Sequence, residues 1–241
     1  MAHSPSHFMT TRWTRVVAAR GDSADARQAL SDLCGINYEP VLHFLKASGH
    51  PESEARELAH EFFADVLQRH NLSGADPTKG RFRSYLLGAL KHFLINRRLH
   101  GQRQKRGSGV APLPLEMESA TQHGALPEAL RTETPEALFD RAWALGIIGR
   151  ALAALEQEAE ATGSKERFEK LKPWLSTSAS LENQSDVAAK LQMSEGALKV
   201  AIHRLRKRFR EVVRQEVSQT LQDPRDLDSE MQHLMAALTA E

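Results

Sequence analysis

The sequence predicts an all-α protein of two helical domains joined by a flexible linker, and three observations carry that prediction. Apolar residues repeat at three or four positions almost everywhere: Leu58, Phe62 and Val66; Phe82, Leu86, Leu90 (or Ala89) and Phe93; Leu145, Ile148, Leu152 and Leu155. No alternating run of β-branched residues flanked by hairpin turns competes with them. Between Gly101 and Pro135 the periodicity lapses and four glycines and four prolines accumulate, the composition of a linker. These features divide the chain into a first domain over 1–106, a linker over 107–135, a second domain over 136–220 and a C-terminal amphipathic helix over 221–241.

The punctuation between periodic runs supports each element. Thr11 can cap a short helix that Gly21 stops, and Asp22 or Ser23 can cap the next. The stretch "GHPESEARELAHEFFADVLQRH" opens a helix with Pro51 near an acid-rich first turn. "NLSGADPTKG", residues 71–80, is a loop by composition, and a helix is predicted over 81–99. Near the end, "DPRDLDSEMQHLMAAL" places Leu227, Met231, Leu234, Met235 and Leu238 on one helical face.

At 241 residues the chain suits one or two domains with their own cores. No stretch approaches the roughly 18 apolar residues of a membrane span, and "MAHSPSHFMTTRW" lacks a signal-peptide core, so a soluble cytoplasmic protein is expected, with no membrane partner. The one cysteine, Cys34, has no partner for a disulfide or a CxxC site and reads as a buried apolar residue.

A net charge of +1 hides a strong segregation. From Lys79 to Arg106 there are nine Lys/Arg and no acid; from Lys199 to Arg214 there are seven against Glu211. The remaining residues carry 16 basic and 30 acidic side chains, a balance of −14. Two basic blocks on an otherwise acidic chain suggest two places that meet a polyanion, against the plainer possibility of solvated helix faces.

The second block has the anatomy of a helix-turn-helix. In "QSDVAAKLQMSEGALKVAIHRLRKRF" a short helix over 186–191 precedes a tight turn at Gln192 and Met193. Ser194 can then cap a longer helix by accepting from the N–H near Ala197. Val187, Leu191, Met193, Leu198, Ile202 and Leu205 form the expected core, with Ala188 and Gly196 small enough for close approach. Ser194 and Glu195 stand at the start of the second helix; Lys199, Val200, His203, Arg204, Lys207 and Arg208 follow on the outward face, where such a motif reads the major groove and touches phosphates. Gln192 occupies a position where a left-handed backbone is expected, at a cost of about 1–2 kcal/mol for a non-glycine residue.

"SDVAAKLQMSEGALKVAIHRLRKRFRE" resembles region four of the extracytoplasmic-function type of sigma factor, the promoter-directing subunit of bacterial RNA polymerase. It departs from that family's pattern at Gln192 (Gly), Ala197 (Thr) and Val200-Ala201 (Ser-Arg). Residues 38–106 resemble region two of the same family in order and spacing. "EARELAHEFF" stands where the family docks on the clamp helices of the polymerase's largest subunit, and "KGRFRSYLLGALKHFLINRRL" where it captures the minus-ten element. Arg56 and His60 depart from that family's usual acid and glutamine. The resemblance implies a transcription initiation factor, not an enzyme, with core polymerase and promoter DNA as partners and an anti-sigma factor as a further one.

The same resemblance distributes the site residues. Glu54, Glu57, Leu58, Glu61, Phe62 and Asp65 are expected to bind polymerase, an acidic helix beside an apolar stripe being suited to a basic partner. Lys79, Arg81, Arg83, Tyr85, Lys91, His92, Asn96, Arg97 and Arg98 are expected at the minus-ten element, since single strands are held by cations along the backbone and rings against bases. Among the rings, Tyr85 and His92 are the ones expected at the surface. The loop over 71–79 would form the pocket for a captured base, and the linker would run toward the polymerase cleft.

Eleven histidines invite a search for metal chemistry, but no HExxH, Cys/His cluster or glycine-rich phosphate loop is present, so no cofactor or metal is expected. The rival function is a helix-turn-helix regulator acting without polymerase, its first domain a protein-interaction module. The C-terminal stretch 215–241 carries six acids against Arg225, so it either completes the second domain or covers a basic surface.

Overall fold

The computed structural model describes residues 24–68, 81–106, 133–175 and 184–239. Among them every named element is helical: α1 (Ala24–Ile36), α2 (Tyr38–Ala47), α3 (Glu52–Gln68), α4 (Phe82–Arg106), α5 (Pro135–Ala161), α6 (Lys165–Leu171), α7 (Gln184–Lys190), α8 (Glu195–Ser218) and α9 (Leu227–Thr239), with short 3₁₀ turns at Lys172–Leu175 and Pro224–Asp226. The one β-type contact among the described residues is an isolated antiparallel bridge between Arg81 and Leu221. The all-α prediction therefore holds for these residues; the helix expected after Thr11, the loop over 71–79 and nearly all of the linker lie outside them.

The chain forms two compact units. The first comprises Met1–Ala144 together with Gln219–Glu241, and the second Leu145–Ser218. This division differs from the sequence boundaries at 136 and 220, and α5 shows why. Its buried residues fall at 139, 143, 147, 151, 155 and 159, an i+4 stripe along the helix, with Ala144 beside it, whereas the predicted stripe began at Leu145, which is exposed. Phe139, at the front of that stripe, is fully buried in the first unit's core. Thr134 caps the helix, accepting from the Ala137 N–H at 3.1 Å, and Pro135 takes the first position, where its missing N–H costs nothing.

The first unit packs α1 to α4 around Leu30, Leu33, Leu45, Leu58, Phe62, Phe82, Leu86 and Leu90. Cys34 lies within this core, and burial pushes its thiol up to about 12, so it is an inert apolar filler as the sequence suggested. Helix α4 continues to Arg106, past the predicted end at Leu99. Gly101 costs a helix interior only about 1 kcal/mol, and the Gln, Arg and Lys residues after it are good helix formers.

Three helices end in the same way. At α2, the His50 N–H donates to the Leu45 carbonyl (3.2 Å) and the Gly49 N–H to Lys46 (3.0 Å), with Gly49 at φ +97°. At α5, Ser164 donates to Ala159 (2.7 Å) and Gly163 to Glu160 (3.1 Å), with Gly163 at φ +66°. At α7, Met193 donates to Ala188 (3.0 Å) and Gln192 to Ala189 (3.1 Å), with Gln192 at φ +54°. This is the Schellman arrangement, which satisfies terminal carbonyls and needs a left-handed residue after the helix. Two of the three positions hold glycine. The third, in the helix-turn-helix, is held by glutamine.

The C-terminal segment, expected either to complete the second domain or to cover a basic surface, packs with the first unit. The Phe82 N–H donates to the Thr220 carbonyl at 3.0 Å, beside the Arg81–Leu221 bridge. On α9 the buried residues are Glu230, Leu234 and Ala237, and Met235, expected on the apolar face, is exposed.

Candidate nucleic-acid interface

In the second unit α7 and α8 are joined by a tight turn, the order of elements that the helix-turn-helix reading requires. Leu198 is fully buried and packs with Val187, Ala188, Ala201 and Ile202, while Leu191, Met193 and Leu205 close the edges. Leu171 and Trp174 join this core from α6 and the turn after it. The cap forms as predicted, Ser194 Oγ accepting from the Ala197 N–H at 3.2 Å, which satisfies one of the unpaired donors of the first turn. Gly196 is not a close-approach residue: a Cβ there would meet only Ser194 Oγ, at 4.0 Å.

The packing of α8 leaves the predicted outward residues in solvent. Ser194, Glu195, Lys199, Val200, His203, Arg204, Lys207 and Arg208 are all exposed, and Val200 keeps half its surface. No described residue makes a hydrogen bond or ion pair with Lys199, His203, Arg204 or Lys207 through their side chains. Arg208 differs. Its guanidinium grips Glu158 through Nε (3.1 Å) and Nη2 (2.5 Å) and reaches Glu211 at 3.4 Å. The hydrogen bond from Arg208 holds the Glu158 carboxyl below the usual carboxylate value. Arg206 turns the other way and donates through Nε to the Trp174 carbonyl at 2.8 Å, tying α8 to the turn after α6. Arg210 Nε donates back to the Arg206 carbonyl at 3.3 Å, so three of the six cations from Lys199 to Arg210 are engaged within the fold, a distinction that the residue pattern does not mark.

The first unit's basic helix is otherwise. Arg83 is only 7% exposed; its Nε donates to Glu230 Oε1 at 3.0 Å and its Nη1 to Asp140 at 2.7 Å, while its guanidinium carbon lies 5.3 Å from the centre of the Trp143 ring. Arg81 Nη2 donates to Ser229 at 2.7 Å, and its Nη1 lies 3.0 Å from Glu230 Oε2, a charge approach without hydrogen-bond alignment. His233 Nε2 stands 2.9 Å from the other oxygen of Asp140. Glu230 is fully buried, and an unpaired carboxylate there would cost several kcal/mol. Two arginines are the compensation.

Several expected minus-ten residues are thus committed elsewhere. Arg83 is buried and Arg81 engaged. Tyr85, expected at the surface, is 7% exposed, and burial raises its hydroxyl well above the ordinary phenol value. Farther along α4, Lys91, His92, Asn96, Arg97 and Arg98 are exposed, although Lys91 pairs with Glu136 at 2.7 Å, Asn96 meets His92 Nδ1 at 3.1 Å and Arg97 pairs with Glu61. Lys79 lies outside the described residues.

On α3, Glu54, Glu57 and Glu61 are exposed and Asp65 half-buried. Leu58 and Phe62 are each 1% exposed, so they serve the core, each contributing about 1.5–3 kcal/mol by burial, and offer no surface to a partner.

Sequence reasoning missed the Arg81–Arg83–Glu230 cluster, whose members lie nearly 150 positions apart. One signal was present: Glu230 sits three residues after Leu227 and four before Leu234, on the apolar face of α9, where an acid must find a buried cation. Among the described residues no group of three His, Cys, Asp or Glu is arranged to hold a metal, and no helix is long and apolar enough to cross a membrane. No protein-family model, curated protein or solved structure matches this chain.

Proposed function

We propose that this protein is a transcription initiation factor: it binds core RNA polymerase, reads an upstream promoter element with α8 and engages the melted minus-ten strand with α4. The observation that carries the DNA-binding part is the row Lys199, Val200, His203, Arg204 and Lys207. These side chains are exposed on a capped helix whose opposite face is packed by α7, and the four charged or polar ones have no partner among the described residues. Donors left free at the start of such a helix suit base edges, and those farther along suit phosphates.

The polymerase-binding part rests on the resemblance, in order and spacing, of residues 38–106 to region two of the sigma factors. It is supported by the exposed acids Glu54, Glu57 and Glu61 on one helix. On α4 the support is confined to the segment from Lys91 to Arg98, where cations, His92 and Asn96 stand in solvent.

The burial of Arg83 and Tyr85 favours a second reading, a helix-turn-helix regulator that needs no polymerase, because it removes part of the expected strand-binding set. The two separate on polymerase dependence. An initiation factor binds promoter duplex weakly alone, co-purifies with core polymerase and starts transcription at a defined position when added to it. Tight, sequence-specific operator binding by the free protein, with no co-purification, is the result that decides for the regulator.

A further inference from the structure

The second unit also contains a groove of about 330 Å³ between the end of α5, α6 and α8. Its floor is apolar, built from Leu155, Phe168, Leu171 and Leu205. Its rim is cationic. Arg167 and Arg204 stand there exposed and without a partner among the described residues, whereas the third rim arginine, Arg208, already neutralises Glu158, the acid on that rim.

We infer that this groove is a binding site for a small anionic amphiphile, a single carboxylate on a compact apolar body. Size, floor and charge each argue for that class. The volume lies at the lower end of small-ligand pockets, roughly 300–1,000 Å³, and suits a body of about ten heavy atoms. Leu155, Phe168, Leu171 and Leu205 offer such a body an apolar bed, and the hydroxyls of Thr162 and Ser164, also on the lining, are engaged with each other and with α5 carbonyls, so affinity along the bed comes from desolvation. The charged end is then the specific one. Guanidinium groups present planar forks that match a carboxylate in two parallel hydrogen bonds, and Arg167 and Arg204 are the two at this rim that nothing described already occupies. Because Arg204 also lies on the face read above as DNA-facing, occupancy would draw a guanidinium from that face. This consequence rests on the proposed function; the site itself does not.

The test is calorimetric titration of the full chain with sodium octanoate, and with 1-octanol as the same apolar body lacking the charge. Octanoate is expected to bind saturably with a Kd of about 0.1–1 mM, and octanol about tenfold more weakly. Replacing Arg167→Gln together with Arg204→Gln should weaken octanoate by about tenfold or more at unchanged far-ultraviolet circular dichroism, both side chains being exposed. Absence of saturable octanoate binding, equal binding of octanol, or an unaffected double variant would each overturn the assignment. No DNA or polymerase is present in the titration, so its failure is distinct from failure of the proposed function.

Discussion

Helices α4 and α8 carry comparable runs of Arg and Lys, yet the fold uses them in opposite ways. At the start of α4, Arg81 and Arg83 are drawn into a cluster with Glu230, Asp140 and Trp143, and serve to fasten the C-terminal segment to the first unit. Along α8, Lys199, His203, Arg204 and Lys207 face solvent without partners among the described residues. The cause is what lies opposite. Glu230 on the apolar face of α9 must be neutralised, whereas α7 meets α8 with Val187 and Ala188 and asks nothing of its cations. A basic run is therefore a site only when no buried acid claims it.

The largest expected effect breaks the structural side of this contrast. Glu230→Ala leaves Arg83 buried with Asp140 as its one remaining acid partner, beside the Trp143 ring. It should cost about 3–5 kcal/mol in chemical denaturation, the magnitude for removing one member of a buried ion pair. The double replacement Lys199→Ala with Arg204→Ala is the counterpart: stability within about 0.5 kcal/mol of the parent, but promoter recognition weakened by about 1–3 kcal/mol for each base left unread. Similar loss of stability in both variants would erase the distinction between the helices.

Local effects in the helix-turn-helix are smaller. Ser194→Ala removes the acceptor of the Ala197 N–H and should lower thermal stability by about 1 kcal/mol. Gln192→Gly should move stability the other way. Relief of the left-handed backbone is worth about 1–2 kcal/mol, and the extra freedom of glycine in the unfolded chain returns about 0.4–1, leaving a net gain of about 0.5–1 kcal/mol. The smallest effect is one of pH. Glu158 is held below its ordinary value of 4.5 by Arg208, so its contribution is present above pH 4.5 and fades as pH falls through the folded value. Both partners are nearly half exposed, which limits it to a few tenths of a kcal/mol; Glu158→Gln should flatten that part of a stability–pH curve.

How far the sequence foretold this arrangement depended on whether the cause was local. Helix periodicity, the Ser194 cap, the left-handed Gln192 and the helix-turn-helix core are set by neighbours within a turn or two, and each was legible. The site residues were misplaced by partners distant in the chain, whereas the end of α4 and the exposed Leu145 were local misreadings. The burial of Arg83 depends on α9 and on the front of α5, and that of Tyr85 on the core it shares with Phe82 and Cys34, so residue type alone placed them at a DNA surface. The same remoteness separates the compact units from the boundaries expected at 136 and 220, because Phe139 belongs by periodicity to a long helix and by packing to the first unit's core. Leu58 and Phe62 show the converse: an apolar stripe beside acids reads equally well as docking surface or as core, and only the packing of α1, α2 and α4 decides.

Transcription from a defined promoter by core polymerase supplemented with this protein, with start sites mapped for the parent and for the Lys199→Ala, Arg204→Ala variant, tests the division of labour most directly. The expected result is a single defined start with the parent, its yield reduced by about tenfold or more in the variant while both co-purify equally with polymerase. A variant that loses polymerase binding, or one that still initiates at the same start with undiminished yield, would contradict it.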